Sequence, residues 1–238
     1  MIAILKKEFQ SFFASPIAYL VIGVFLLING LYLWVFKTDF NILNAGFADL
    51  NSFFYLAPWV FLLLIPAITM KSFADEFNNG TIELLKTKPI SNWHIILGKF
   101  WATLLLIFVA LAPTFTYVYS VYFLGNPVGN LDTGSTIGSY VGLFFLASTY
   151  TAIGLFTSTL SKNQIVAFIA SVGITFFLFY GLETIAVSLK NNLSLQKIGM
   201  YNHFKSISRG VIDSRDIVYF LSATFFFLYL TKTRLENE

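Results

Sequence analysis

The side chains able to do chemistry in this chain are two histidines, His94 and His203, and twelve carboxylates; there is no cysteine. Missing thiols exclude disulfides, thiol nucleophiles, iron–sulfur clusters and thiolate zinc sites, and two histidines are too few for a multi-histidine metal centre. HExxH and GxSxG patterns do not occur, and the carboxylates fall outside the long apolar runs. Gly98 and Lys99 are followed by Phe100 and lack the upstream glycine of a GxxxxGK[ST] phosphate loop, so any ATP binds on another chain. His94, beside Trp93, and His203 read as surface residues, and Glu183 as a carboxylate facing water or Lys190. No catalytic residue, resident cofactor or metal ligand is expected.

The elements that position these groups belong to a lipid environment. The chain is 57% hydrophobic and 11% charged, against roughly half and a quarter in soluble domains. Its uncharged runs are 9–36, 50–70, 100–131, 133–161, 163–182 and 217–231. A crossing helix needs roughly 17 to 25 apolar residues, so five runs suffice and the last is marginal. The expectation is an all-α polytopic protein, one transmembrane domain over 1–238, with spans at 16–36, 53–70, 99–124, 137–160, 165–186 and 217–231. A net charge of +3, with basic residues scattered between spans, excludes a nucleic-acid binder.

Within residues 1–15, Ile2, Leu5, Phe9, Phe12 and Phe13 share a helical face before Pro16. This reads as a helix in the membrane interface, or else as a ragged start to span one. Asn29 is expected to hydrogen-bond a neighbouring helix, Pro58 and Pro66 to bend span two, and Pro113 to bend span three. Gly138, Gly142, Ala147, Thr151, Gly154 and Ser158 form a small-residue stripe for close packing, within the chain or at a dimer seam. Thr114, Thr116, Tyr117 and Tyr119 are candidates for lining a path, with hydrogen bonding between spans an equal explanation. With the amino terminus inside, nine Lys and Arg residues fall on inner segments and only Lys37 on the first two outer loops, the positive-inside pattern. The basic 187–216 segment is then an exception, read as a structured outer element. Arg215, Asp216, Lys232 and Arg234 bracket span six and are expected at the two interfaces.

Between spans two and three runs the long polar connection 71–98. Gly80 breaks the preceding segment, Thr81 can cap a short helix, Glu83 with Lys86 and Lys88 complements its dipole, and Pro89 stops it. With Ile82, Leu84 and Leu85 among charges, residues 75–88 suit a helix that presses into a cytoplasmic partner, or one that merely lies on lipid. A second inner link, SKNQ, joins spans four and five through Asn163 and Gln164.

These residues carry a resemblance. Glu76, Gly80, Thr81 and Glu83, then Leu85, Pro89, Ile90, Ser91, Gly98 and Lys99, resemble the E-x3-G-T-x-E…P-[IL]-S…GK stretch of the ABC-2 type permeases, membrane subunits of ATP-binding-cassette transporters. LDTGSTIGSYVGLFFL and FTSTLSKNQIVAF, with Ser158, Asn163 and Gln164, are similar to the branch containing gliding-motility permeases and the permease of nitrous-oxide reductase maturation. Residues 202–220 are similar to the gliding-motility members in particular.

The resemblance implies an amino-terminal interfacial helix, six spans, a coupling helix between spans two and three, and short outer helices between spans five and six. It implies a bacterial inner-membrane location with both termini cytoplasmic, and coupling of ATP hydrolysis on a partner to transport, in the direction of export. The implied partners are a GldA-like ATPase, which binds the ATP, and a second permease or GldG-like companion subunit. Asp75, Glu76, Gly80, Thr81, Glu83, Leu84, Leu85 and Pro89 become the expected ATPase contact or the geometry that shapes it. Two other classes stand beside this one: a non-transporting membrane scaffold or anchor for a motility or assembly complex, and a passive channel.

Overall fold

The computed structural model describes residues 1–86, 90–189, 196–211 and 213–237, and these are all helix and connection, with no strand. Helix α1, Ile2–Ala14, ends where Ser15 turns extended and donates its hydroxyl to the Phe12 carbonyl at 3.1 Å. Pro16 then opens α2, Pro16–Gly30, at the first-turn position where its missing N–H costs nothing. A π-helical turn, Leu31–Val35, carries α2 to its end.

Span two is α3, Asn51–Thr69, and both prolines expected to bend it sit inside a continuous helix. Met70 keeps right-handed helical angles, so α3 runs on into α4, Lys71–Asn78, and the whole reaches eight residues further than the expected end at 70. The helix breaks only at Gly80, whose φ of +68° is left-handed. The short α5, Thr81–Lys86, follows as a separate piece. The expected 75–88 coupling element is therefore divided: Asp75 and Glu76 belong to the end of span two, while Thr81 and Glu83 lie beyond the break. Thr81 is the first residue of α5, and its hydroxyl reaches back to the Glu76 carbonyl at 3.4 Å. Lys88, Pro89 and the side chains of Leu84 and Leu85 lie outside the described residues.

Span three begins at Asn92, well before the expected 99, and is α6, Asn92–Leu111. A tight turn at Ala112–Thr114, seeded by Pro113, leads into α7, Phe115–Leu124. Helix α8, Thr133–Ser158, is capped by Asp132, which accepts from the Ser135 amide at 3.0 Å. Asn163 caps α9, Gln164–Phe176, accepting from the Ile165 amide at 2.9 Å. A π-helical turn at Phe177–Gly181 joins α9 to α10, Leu182–Ser188. A short helix α11, Met200–Ile207, precedes α12, Ser214–Glu236.

Among the described residues, five helical segments are long and apolar enough to cross a membrane: Pro16–Val35, Asn51–Asn78, Asn92–Leu124, Thr133–Ser158 and Gln164–Ser188. The expected sixth crossing, 217–231, lies within α12, which has the length at 23 residues but carries Arg215, Asp216, Lys232 and Arg234 at its ends. Helix α8 is the axis of the bundle, 78% buried, whereas the α2 and α9 segments are 28% buried. Helices α3, α6, α9, α11 and α12 all pack on α8.

The small residues explain this central place. A side chain at Gly138 would strike the Ile207 carbonyl at 2.5 Å, and one at Gly142 would meet the Phe204 ring at 3.2 Å, both on α11. One at Gly154 would overlap Thr69 of α3. Ser158 is fully buried, bonded to its own Leu155 carbonyl at 2.7 Å. These glycines thus seat neighbours of the same chain.

Candidate functional site

Gly98 is where the site begins. A Cβ there would lie 2.8 Å from the Ile4 side chain, so the bare glycine lets α1 lie flat against the start of α6. That approach brings Glu8 of α1 beside Lys99. Because α4 prolongs span two, Ser72, Phe73 and Glu76 arrive at the same point from the other side, at helical spacing on one face.

The Lys99 side chain is 3% exposed. Its ammonium donates to the Ser72 carbonyl at 2.7 Å, to Glu76 Oε1 at 2.9 Å and to Glu8 Oε1 at 3.1 Å. All three N–H bonds of the ammonium are used. Below it the Phe73 ring centroid lies 5.1 Å away, within cation–π range. A charge this buried is tolerated because it is paired and fully hydrogen-bonded. The consequence is mechanical: one side chain clasps the amino-terminal helix, the α4 end of span two and the root of span three.

A second tie extends the clasp. Asp75, next to Glu76 on α4, accepts a hydrogen bond from the Gln164 side chain at the start of α9, and Asn163 fixes that start by capping it. The structure thus brings together Asp75, Glu76, Gln164 and Asn163 with Glu8 and Lys99. Glu83 stays apart, exposed on α5, while Ile82 is buried. Gly138 and Gly142 lie toward the opposite end of the bundle, against α11.

Glu8 and Lys99 are the residues sequence reasoning did not join. They are separated by 91 positions, and Lys99 and Glu76 by 23, so no local spacing links them. The available signal was the lysine's setting, one glycine before it and an apolar run after it, which places a charge inside a helix and not on a flank.

Other expectations are corrected elsewhere. Asn29 donates to the Phe25 carbonyl of its own helix at 2.8 Å, and its Oδ1 is buried with no donor, so it does not bridge helices. Thr114 bonds the Leu111 carbonyl at 2.7 Å and the Tyr140 hydroxyl at 2.9 Å, while Thr116 bonds Pro113 at 2.7 Å. The Tyr117 ring packs on Trp34 and Phe53, and Tyr119 is 68% exposed. The Thr114–Tyr140 pair is thus the hydrogen bond between helices that was the alternative to a path lining. Glu183 accepts from Asn202 at 2.8 Å; its expected partner Lys190 lies outside the described residues. His203 is partly buried, 2.6 Å from Asp216, stacked on Tyr219 and bonded through Nε2 to the Lys197 carbonyl. Asp216, expected at the interface, is 6% exposed and pins α11 to α12.

A family model described as ABC-2 family transporter protein matches residues 2–233. No curated protein matches the chain.

Proposed function

We propose that this chain, which belongs to the ABC-2 family of transporter proteins, passes movements of a separate ATPase into its spans through the Lys99 clasp. It is a multi-pass membrane permease component of the ATP-binding-cassette type, working with an ABC ATPase in the lipid bilayer. The observation that carries the proposal is that one buried ammonium holds α1, α4 and α6 together. In this reading, closure of a pair of ATPases presses on α5 and on the exposed Glu83. The displacement crosses Gly80 into α4, and from there spans two and three and the interfacial helix move as one body. Asp75 and Gln164 share the motion with span five.

The finer assignment is part of the same proposal. The chain acts in the bacterial inner membrane with α12 as the sixth crossing and both termini cytoplasmic, exporting a substrate as half of a permease pair. It is GldF-like, with a GldA-like ATPase that binds the ATP and a GldG-like companion, in a gliding-motility complex. What supports this is the resemblance of residues 202–220 to the gliding-motility permeases, the inner-loop pattern speaking only for the wider family.

The test is reconstitution with the ATPase that co-purifies with it. Glu83→Lys, or deletion of 80–85, is expected to abolish stimulation of ATP hydrolysis by the membrane subunit or to abolish assembly. If both variants keep full association and full stimulation, the coupling role is wrong and the scaffold reading takes its place.

A further inference from the structure

Each ring nitrogen of His203 faces an acceptor. Nδ1 lies 2.6 Å from Asp216 Oδ1, and Nε2 lies 2.9 Å from the Lys197 carbonyl oxygen. A carbonyl only accepts, and so does an ionised carboxylate. A neutral imidazole has one N–H, so it serves one of these partners and turns a lone pair on the other. Both contacts are hydrogen bonds at once when the ring holds two protons and a positive charge. Moving one proton to Asp216 would also join the pair, but a carboxylate is by roughly two to three pH units the weaker base.

The surroundings of Asp216 favour that charge. Its Oδ2 is buried and accepts no hydrogen bond among the described residues. A carboxylate so poorly served needs a compensating cation, and His203 stands within ion-pair distance. Tyr219 covers one face of the imidazole at 3.9 Å between ring centroids, yet the His203 side chain remains 17% exposed, so protons can reach it.

The ring also joins three pieces of chain. It belongs to α11, it reaches the first turn of α12 through Asp216, and it holds the stretch before α11 through Lys197. On either side of Lys197, the Gln196 carbonyl accepts from Asn202 at 3.1 Å and the Ile198 carbonyl from the Tyr219 hydroxyl. Helix α11 in turn fills the space that Gly138 and Gly142 leave on α8.

The other charged and titratable groups on the elements packed here have partners or face solvent. Glu183 of α10 accepts from Asn202, while Asp132 and Asp213 cap α8 and α12 through the amides of Ser135 and Arg215. Tyr180 and Tyr201 pair their rings at 6.3 Å. The side chains of Lys197, Lys205, Arg209 and Arg215 are exposed.

We propose that His203 is a proton-binding site, and that its bound proton latches α11 to α12 and to the 196–199 stretch. Loss of the proton breaks one of the two bonds and removes the charge opposite Asp216, so the latch loosens as the pH at this end of the bundle rises. The sign follows from linkage: the latched form binds a proton that the released form holds more weakly, and the latch's share of stability is lost with rising pH. This site stands apart from the Lys99 clasp and does not depend on the ATPase reading.

The chain has two histidines, so His94→Gln leaves His203 as the single imidazole. Nitrogen NMR of that variant in lipid nanodiscs, isotope-labelled at the histidine ring, reads the two ring nitrogens directly. At about pH 7, where a solvent-exposed histidine is mostly neutral, both are expected to carry protons in most molecules. A bare nitrogen in most molecules at that pH overturns the proposal, and at Nδ1 it would move the proton to Asp216. Melting supplies the second readout. At about pH 6, wild type is expected to melt on the order of 5 °C above His203→Gln, the loss of a charge-assisted bond. By about pH 9 that gap is expected to fall to half or less, with Asp216→Asn showing the same flattened pH dependence as His203→Gln. A gap that stays constant, or an Asp216→Asn variant that keeps the wild-type pH dependence, overturns the latch. The nitrogen spectrum needs no substitution at the site, so it decides the protonation even where a variant fails to fold.

Discussion

Replacing Lys99 by methionine keeps the length and apolar stem of the side chain while deleting its charge. Glu8 Oε1 and Glu76 Oε1 lie 3.1 and 2.9 Å from the same nitrogen, so the two carboxylates are no more than roughly 6 Å apart. With the ammonium gone they repel each other by about 3 kcal/mol at an effective dielectric near 20. That agrees with the lower part of the ~3–5 kcal/mol seen when one partner of a buried pair is removed; the lower part is appropriate because the carboxylates are 15% and 13% exposed. In detergent, monitored by fluorescence-detected size exclusion after heating, Lys99→Met is expected to melt roughly 6 to 12 °C below wild type. The decisive control is the triple variant Glu8→Gln, Glu76→Gln, Lys99→Met, which leaves no unpaired charge and is expected to recover most of the loss. If the single variant melts within about 2 °C of wild type, or the triple is no more stable than the single, the clasp does not hold these helices together.

Gly154→Ala is expected to cost about 1 to 3 kcal/mol by forcing α8 off Thr69, visible as a lower melting temperature. Adding Thr69→Ala should recover only part of that, since the Thr69 Cβ itself lies 2.8 Å from the new atom. Asn29→Leu is expected to leave stability unchanged or raise it by about 1 kcal/mol, because Oδ1 is buried without a donor; a clear loss in the same melting assay refutes this. Gly98→Leu should lift α1 from α6, since Ile4 occupies the space; faster limited proteolysis near the Ser15 junction reports it, and an unchanged digestion pattern counts against it. Single cysteines at Asn79 and Asn130 are expected to label from inside and outside respectively, and outer labelling at Asn79 reverses the proposed orientation.

Much of the architecture was legible because lipid leaves few options for a backbone: long uncharged runs become helices, and Pro16, Asp132 and Asn163 start them where their chemistry requires. Gly80 was readable for the same local reason, as a break that only a left-handed residue makes cheaply. What the sequence hid was tertiary. The partnership of Glu8 with Lys99 exists only because α1 folds back on α6 past a bare Gly98. Asp216 read as an interface residue and His203 as a surface one, yet the hairpin of α11 and α12 gives them each other. Pro58 and Pro66 both lie inside a continuous α3. The start of span three was misplaced for the reason that hid the clasp, a lysine taken for a boundary when it is interior.

Nothing lies within 4 Å of where a side chain at Gly80 would stand; the turn is set by its left-handed φ, with the Thr81 hydroxyl reaching back to the Glu76 carbonyl and Ile82 buried beyond it. A six-residue helix such as α5 is about 9 Å long at 1.5 Å per residue. Rotating it through 30° about that single joint carries its far end roughly 5 Å. In the proposed coupling, how far a push on α5 reaches α4 thus depends on the torsions of one residue. A side chain that resists positive φ, such as valine, strains this turn and is expected to redirect α5 relative to α4.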